Sequence, residues 1–152
     1  MKIEFICANH RHWLLERPAE ALNWWEKSFD TGKYFQELRM WDESVRPLGC
    51  AFDAATICLE QSKIIDSKTI EQFSRSAQCL VYSLLKLGQL DIAQGVVNGV
   101  NLFIRKLDTH VFDRRLMLDM QRKLHLFLAA HSAVTPDSLP NKADDVSSVV
   151  YH

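Results

Sequence analysis

The sequence has few of the residues that interrupt helices, and its charges nearly cancel. Among 152 residues there are five glycines and four prolines, and the formal net charge is −1. Without a positive field, the protein is not expected to be drawn to nucleic acid or to an anionic membrane. A chain of this length is long enough to form one domain with its own hydrophobic core.

A long hydrophobic run is also missing. The longest uncharged stretch, Ile92–Ile104, contains three polar amide side chains and is too short to cross a bilayer. Near the start of the chain, Glu4 and His10 interrupt the apolar run that a secretory signal would need. These absences predict a cytoplasmic protein with no membrane contact.

The four cysteines are far apart in the sequence and include no CxxC pair; they are Cys7, Cys50, Cys58 and Cys79. In a chain without an export signal, this spacing predicts reduced and mostly buried thiols. The chain also contains no GxSxG elbow, no P-loop and no dinucleotide-binding fingerprint. We therefore predict no catalytic residue, no metal ligand and no cofactor, and the protein is not expected to be an enzyme.

The most abundant signal is helical periodicity. Apolar residues recur at steps of three and four residues through six segments, at about 2–16, 19–41, 43–62, 67–87, 91–107 and 109–131. The pattern predicts an all-α fold of about six antiparallel helices, stacked as helical hairpins or as an up-and-down bundle. Residues 1–131 are expected to form this single helical domain.

Two further predictions concern the fifth helix and the tail. The fifth segment is apolar over most of its circumference, so it is expected to be central, with Gly95 and Gly99 allowing a neighbouring helix to approach closely. Residues 132–152 contain two prolines and four serines and predict a mobile C-terminal tail. Its apolar triplet Val149-Val150-Tyr151 could dock on a groove of its own chain or of a neighbour.

Part of the chain has the residue spacing of a known repeat. Within residues 68–107 small and apolar residues follow the pattern Ala77-x2-Leu80-Val81-x2-Leu84-x3-Gly88-x-Leu90-x2-Ala93-x3-Val97-x2-Val100. This spacing resembles a tetratricopeptide repeat, and the resemblance implies helical hairpins that present a partner-binding surface. The small residues at the three candidate corners, Ala21, Ser44 and Ala93, lie 23 and 49 residues apart rather than 34.

Two alternative functions rest on other residues. Cys7-x2-His10-x-His12 is the nearest approach to a metal motif, although on a helix His12 points about 200° away from His10. An extended backbone would place both histidines on one side, so a small metal- or ligand-binding protein remains an alternative. A weaker alternative, a nucleic-acid-associated regulator, rests on the basic residues between 105 and 123.

All four tryptophans lie within the first 41 residues. Trp24 and Trp25 are adjacent, so they cannot both face the same core. Together with Tyr34 and Trp41 they are our predicted partner-binding residues, because tryptophan is enriched at interaction hot spots. The leading hypothesis is a non-enzymatic adaptor, chaperone-like or regulatory module that binds a protein or a peptide. A homodimer formed through the same residues is equally compatible with the sequence.

Overall fold

The computed structural model describes residues 4–62, 66–107 and 114–132. Within these ranges the protein consists of six α-helices and has no β-strand: α1 (Ala8–Leu15), α2 (Pro18–Glu37), α3 (Trp41–Gln61), α4 (Ser67–Lys86), α5 (Leu90–Lys106) and α6 (Arg114–Ser132). The prediction of an all-α fold is confirmed. The predicted tail beyond residue 132, with its Val149-Val150-Tyr151 triplet, lies outside the described residues.

The helices stack in chain order. α2 and α3 form the most extensively packed hairpin, α4 packs against α3, and both α5 and α6 pack against α4. α1 lies across α2 and α3 at the start of the stack. The central helix is α3, which buries more residues than any other described helix, and the expectation that the fifth helix is central was wrong. α5 buries one stripe, whereas Leu102 on its other side is 55% exposed.

Close helix contacts occur at Gly32 and Gly49, whereas Gly99, one of the two glycines predicted to permit them, makes none with the described residues. A Cβ atom added to Gly99 would meet nothing within 4 Å, so this residue does not serve a close helix approach. Gly32 of α2 and Gly49 of α3 do, because a Cβ added to Gly32 would lie 2.5 Å from Leu48 and a Cβ added to Gly49 would overlap the Phe5 ring. These two glycines set how closely α3 packs against α2 and against the N-terminal segment.

The first turn of the predicted N-terminal helix is not formed. The backbone N–H groups of Phe5 and Ile6 instead donate to one carboxylate oxygen of Asp53, over 2.7 and 2.9 Å, and α1 begins only at Ala8. Both N-terminal side chains are buried against α3. Asp53 is itself 5% exposed, and burial raises its pKa to about 6, although the two N–H bonds and the nearby Arg11 partly oppose this shift.

The corners after α2 and α4 have the same backbone geometry. In the first, the N–H of Met40 donates to the Phe35 carbonyl over 2.9 Å, and Arg39 has a positive φ of 56°. In the second, the N–H of Gln89 donates to a carbonyl of α4 over 2.9 Å, and Gly88 has a φ of 71°. Both are Schellman caps, which place one residue in the left-handed region. Only the second corner has glycine there.

We expect Arg39→Gly to stabilise the protein. An L-residue at a left-handed position costs roughly 1–2 kcal/mol. Glycine removes this cost, but it also has more conformational freedom in the unfolded chain, which offsets part of the gain. We therefore expect the free energy of unfolding to increase by about 0.5–1 kcal/mol. Chemical denaturation would measure the change, and the reciprocal variant Gly88→Arg should lower the free energy of unfolding. If wild type and Arg39→Gly were equally stable, the left-handed backbone conformation of Arg39 would carry no measurable strain.

Candidate functional site

The outer face of the α2–α3 hairpin carries a shallow, mostly apolar groove. Its volume is about 330 Å³, and we call it the aromatic groove; its lining residues are Trp24, Lys27, Ser28, Thr31, Phe35, Arg46, Pro47 and Cys50. It lies on a side of α3 different from the one that packs against α4, whose contacts include Ser44 with Ser83. The packing of the described helices therefore leaves the groove accessible without any rearrangement of the stack.

Helical geometry explains why these α2 residues line one groove. Trp24, Ser28, Thr31 and Phe35 follow the i, i+4, i+7, i+11 spacing, which forms one stripe along a helix. A neighbouring stripe, about 100° further round, faces the core; its buried members are Ala21, Trp25, Phe29, Gly32 and Gln36. The two adjacent tryptophans therefore belong to different surfaces of α2.

Trp24 belongs to a larger aromatic surface. Its side chain is 36% exposed, and the His10 ring packs edge-on against it at 4.5 Å between centroids. His10 in turn lies 5.9 Å from the exposed ring of Trp13. At the opposite end of the groove, Tyr34 is 59% exposed and its ring lies 5.7 Å from that of Phe35. Two of the four predicted partner-binding residues, Trp24 and Tyr34, thus lie at or beside the groove.

Trp25 is a core residue. Only 8% of it is exposed, its ring stacks on Phe29 at 5.1 Å, and its indole N–H donates to Ser76 Oγ over 2.7 Å. The hydrogen bond ties α2 to α4 and satisfies the one polar group of the buried side chain. Of the adjacent tryptophan pair, Trp24 is therefore the one available at the surface.

Trp41 lies at a different place. Its ring packs against Tyr82 of α4 at 5.5 Å, and the Lys86 ammonium lies 5.8 Å from its ring centroid. Tyr82 also contacts two rings of α6, Phe127 and His131, at 5.9 and 5.8 Å. This rear aromatic cluster, made of Trp41, Tyr82, Phe127 and His131, joins α3, α4 and α6. Trp41 is thus not part of the aromatic groove.

A buried polar network fixes the register of the hairpin against α4. The amide of Gln36 donates to the Cys79 carbonyl over 2.8 Å and to Ser83 Oγ over 2.7 Å. Ser83 and Ser44 hydroxyl oxygens lie 2.7 Å apart, and the Ser44 hydroxyl reaches the carbonyl of Trp41 over 2.7 Å. Networks of this kind specify one packing arrangement because an unpaired buried polar group is costly. A glutamine in the apolar stripe of α2 was the sequence signal for it.

The thiol in the groove is held in its protonated form. Burial raises the pKa of Cys50 to about 11, and the nearby Asp53 carboxylate adds to the effect, while Arg46 opposes it. Burial also raises the pKa of the thiols of Cys58 and Cys79. The thiolate is the nucleophilic form, so Cys50 is poorly suited to covalent chemistry at neutral pH.

The N-terminal cysteine and histidines do not converge. His10 and His12 both lie on helix α1; His10 packs against Trp24, while His12 lies 3.5 Å from the Glu16 carboxylate. Cys7 is the exposed residue that precedes α1. Within the three described ranges, no group of three His, Cys, Asp or Glu side chains could hold a metal ion. The extended arrangement needed for the metal-binding alternative is thus not present.

The predicted basic face lies at the end of α5 and along α6. Arg105, Lys106 and Arg122 are exposed, whereas Lys123 is paired with Asp119 over 3.0 Å. The part of this face between residues 108 and 113 lies outside the described ranges. Exposed cations of this kind can contact phosphates, but they also occur on ordinary solvated helices.

A second depression, of about 300 Å³, lies near the start of α2 and the end of α3; it is lined by Pro18, Leu22, Cys58, Gln61, Ser62, Thr69 and Gln72. It has no aromatic lining residue and adjoins the undescribed residues 63–65. The aromatic groove is therefore the better candidate site.

No protein family, curated protein or solved structure was found to match the chain. The resemblance to tetratricopeptide repeats stays a prediction, since no comparison tests it. Among the described helices, none combines the length and the apolar character needed to cross a membrane.

Proposed function

We propose that this protein is a non-enzymatic interaction module that binds a segment of another protein in the aromatic groove. The observation that supports the proposal is the exposed Trp24 ring at one end of an apolar groove that ends at Phe35. Tryptophan is enriched among residues that dominate binding energy, because its large surface is buried at little entropic cost. An adaptor, chaperone-like or regulatory role would use this surface.

The dimensions of the groove suit a short amphipathic segment. Trp24 and Phe35 are eleven residues apart on α2, which corresponds to about 16 Å along the helix axis. A partner helix of about three turns, or about five extended residues, covers this length. Grooves between two helices commonly bind the apolar face of such segments, with anchor residues about one turn apart.

The charges at the groove indicate an acidic partner. Lys27 on α2 and Arg46 on α3 lie on opposite walls, and neither forms an ion pair with another described residue. Carboxylates that flank the apolar anchors of a partner would complement both cations. Such complementarity increases association rate and specificity more than it increases affinity.

The proposal includes a cytoplasmic location. The thiols of all four cysteines are free, as expected for a reducing compartment. A second copy of the chain would fit the same groove, and the mass of a photo-crosslinked adduct separates this case from binding of a different protein.

Photo-crosslinking at the groove tests the proposal. In Tyr34→p-benzoylphenylalanine, one exposed aromatic side chain replaces another beside Phe35. Leu102→p-benzoylphenylalanine on α5 is a matched control, since Leu102 has a similar exposure of 55%. On irradiation in host cells, we expect a discrete adduct from position 34 and none of the same mass from position 102.

The captured protein would then be purified and its affinity measured directly. We expect Trp24→Ala to weaken binding by at least about tenfold, since hot-spot truncations cost 2 kcal/mol or more. Trp41→Ala, at the rear aromatic cluster, should leave the affinity within about twofold. The proposal would be contradicted if position 34 gave no discrete adduct, or if position 102 gave an adduct of the same mass. An adduct with a second copy of the chain would identify a homodimer.

A further inference from the structure

We propose that the segment bound in the aromatic groove is an amphipathic helix with two carboxylates about two turns apart, one for Lys27 and one for Arg46. The inference rests on the proposed binding role of the groove and adds the conformation and the charge spacing of the partner. Two observations carry it: the walls of the groove offer no backbone edge, and its two cations lie at different levels along the hairpin.

Both walls of the groove are helices. The lining residues of α2 lie within Pro18–Glu37, and those of α3 lie within Trp41–Gln61. The backbone N–H groups of a helix beyond its first turn are bonded within that helix. A segment bound in extended form pairs with the free edge of a sheet, and the described residues contain no β-strand.

Polar side chains of the groove do not replace such an edge. The Thr31 hydroxyl donates to the Lys27 carbonyl over 2.8 Å, and the Cys50 thiol lies 3.8 Å from the Phe5 carbonyl oxygen. An extended backbone pressed against this surface would leave some of its own N–H and C=O groups without partners, which is costly. A helix avoids this cost because it bonds its own backbone groups.

The two cations of the groove lie about two helical turns apart along the hairpin. Gly32 of α2 packs against Leu48 of the antiparallel helix α3, so Arg46 lies level with Tyr34 of α2. Lys27 precedes Tyr34 by seven residues. This separation corresponds to about 10 Å along the helix axis.

The groove has a positive local charge. Its lining includes Lys27 and Arg46 but no carboxylate, although the chain as a whole has a formal net charge of −1. Both cationic side chains are exposed, and neither forms an ion pair with another described residue. A complementary partner therefore needs negative charge at two places about 10 Å apart.

Residues seven apart on a partner helix fit this spacing. They are about 10.5 Å apart along the axis and lie on nearly the same side, since seven residues complete almost two turns. Carboxylates at these positions can reach both cations while apolar residues at steps of three and four contact Trp24 and Phe35. Carboxylates only four residues apart are about 6 Å apart, so one of the two cations would lie about 4 Å short of its partner.

Synthetic helical peptides, stapled on their solvent face, test the inference by fluorescence anisotropy with the full-length protein. The first peptide has leucine anchors and two glutamates seven residues apart; the second has the same composition with the glutamates four apart. The third has lysines in place of both glutamates of the first. We expect the first peptide to bind at least about threefold more tightly than the second and about tenfold more tightly than the third. Added salt should reduce both preferences, because exposed ion pairs are screened.

Charge reversal in the protein should reverse the preference for the first peptide over the third. In Lys27→Glu/Arg46→Glu we expect the lysine peptide to bind more tightly than the glutamate peptide, and circular dichroism reports whether the helices are intact. Arg105→Glu/Arg122→Glu is the matched control, because it changes the net charge equally at exposed positions of α5 and α6. This control should keep the wild-type order of affinities.

The inference would be overturned if the glutamate spacing made no difference, if the charge-reversed protein kept the wild-type order, or if the first peptide did not bind. Equally tight binding of a proline-rich, extended peptide with the same two glutamates would overturn it too. A discrete adduct from position 34 together with any of these results would leave the proposed partner binding standing. Discrimination among the peptides without such an adduct would support the inference and contradict the proposed binding in cells.

Discussion

Asp53→Ala is expected to lower the free energy of unfolding by about 2–4 kcal/mol and to release the N-terminal segment from α3. The Asp53 carboxylate accepts the backbone N–H groups of both Phe5 and Ile6, and the Cys50 thiol of the same helix lies 3.8 Å from the Phe5 carbonyl oxygen. Once the acceptor is removed, both donors must stay unpaired in the core or move out to water with their side chains. Either outcome is costly because Phe5 and Ile6 are buried.

Urea unfolding measures the loss, and hydrogen exchange of the Phe5 and Ile6 amides locates it. Asp53→Asn is the matched control, because its side-chain carbonyl can accept the same two hydrogen bonds without a buried charge. We expect Asn to retain protection of both amides and Ala to lose it. Unchanged protection in Asp53→Ala would show that the segment is held without the two hydrogen bonds to Asp53, by contacts such as the burial of Phe5 and Ile6.

The same carboxyl gives a pH dependence with a definite sign. Burial raises the pKa of folded Asp53 to about 6 from an ordinary value of 3.8. Between these values the folded state binds more protons than the unfolded state, so stability falls as pH rises. The contribution is present in full below about pH 4 and is lost by about pH 6, with an upper limit of about 3 kcal/mol. The difference between wild type and Asp53→Asn isolates it from the other carboxyl groups.

Gly32→Ala is expected to have the second largest effect, a destabilisation of about 1–3 kcal/mol. The added Cβ would lie 2.5 Å from two side-chain carbons of Leu48 and 3.2 Å from its backbone nitrogen. Leu48 is fully buried, so its side chain has no open space into which it can move. Relief of the clash would require α2 and α3 to move apart, and these are the most extensively packed pair of helices.

Gly99→Ala provides the matched control, since the same methyl group would meet nothing within 4 Å. Alanine is a better helix former than glycine, so this variant should gain about 0.5–1 kcal/mol. Thermal or urea unfolding of the two variants should therefore give changes of opposite sign. If both variants were stabilised, the α2–α3 contact would be more adaptable than its distances indicate.

Local sequence signals predicted the helices and one of the corners. The 3.6-residue periodicity located all six helices, and each of α2 to α6 buries a stripe of residues that recurs every three or four positions. Gly88 marked the corner after α4, since glycine favours the left-handed cap position. The equivalent corner after α2 has Arg39 at this position, so glycine could not mark it. The early start predicted for α1 was wrong because its first N–H groups bond to Asp53, 47 and 48 residues away.

The candidate site was predictable only in part. Adjacency showed that Trp24 and Trp25 face different surroundings, and the stripe of α2 then assigns Trp25 to the core. The separation of Trp41 from the other aromatic residues depends on Tyr82 in α4, a contact between residues distant in the chain. The α3 wall of the groove, with Arg46 and Pro47, was likewise visible only after the antiparallel hairpin had placed it opposite α2.

The all-α class and the approximate extent of each helix follow from the sequence alone, because they depend on hydrogen bonds and apolar spacing within a few residues. Tertiary packing decided which helix is central, which glycines permit close approach and where Trp41 lies. These properties depend on contacts between residues far apart in the chain. In α5, for example, apolar residues surround most of the helix, yet its place in the stack leaves Leu102 exposed and Gly99 without a neighbour within 4 Å of an added Cβ.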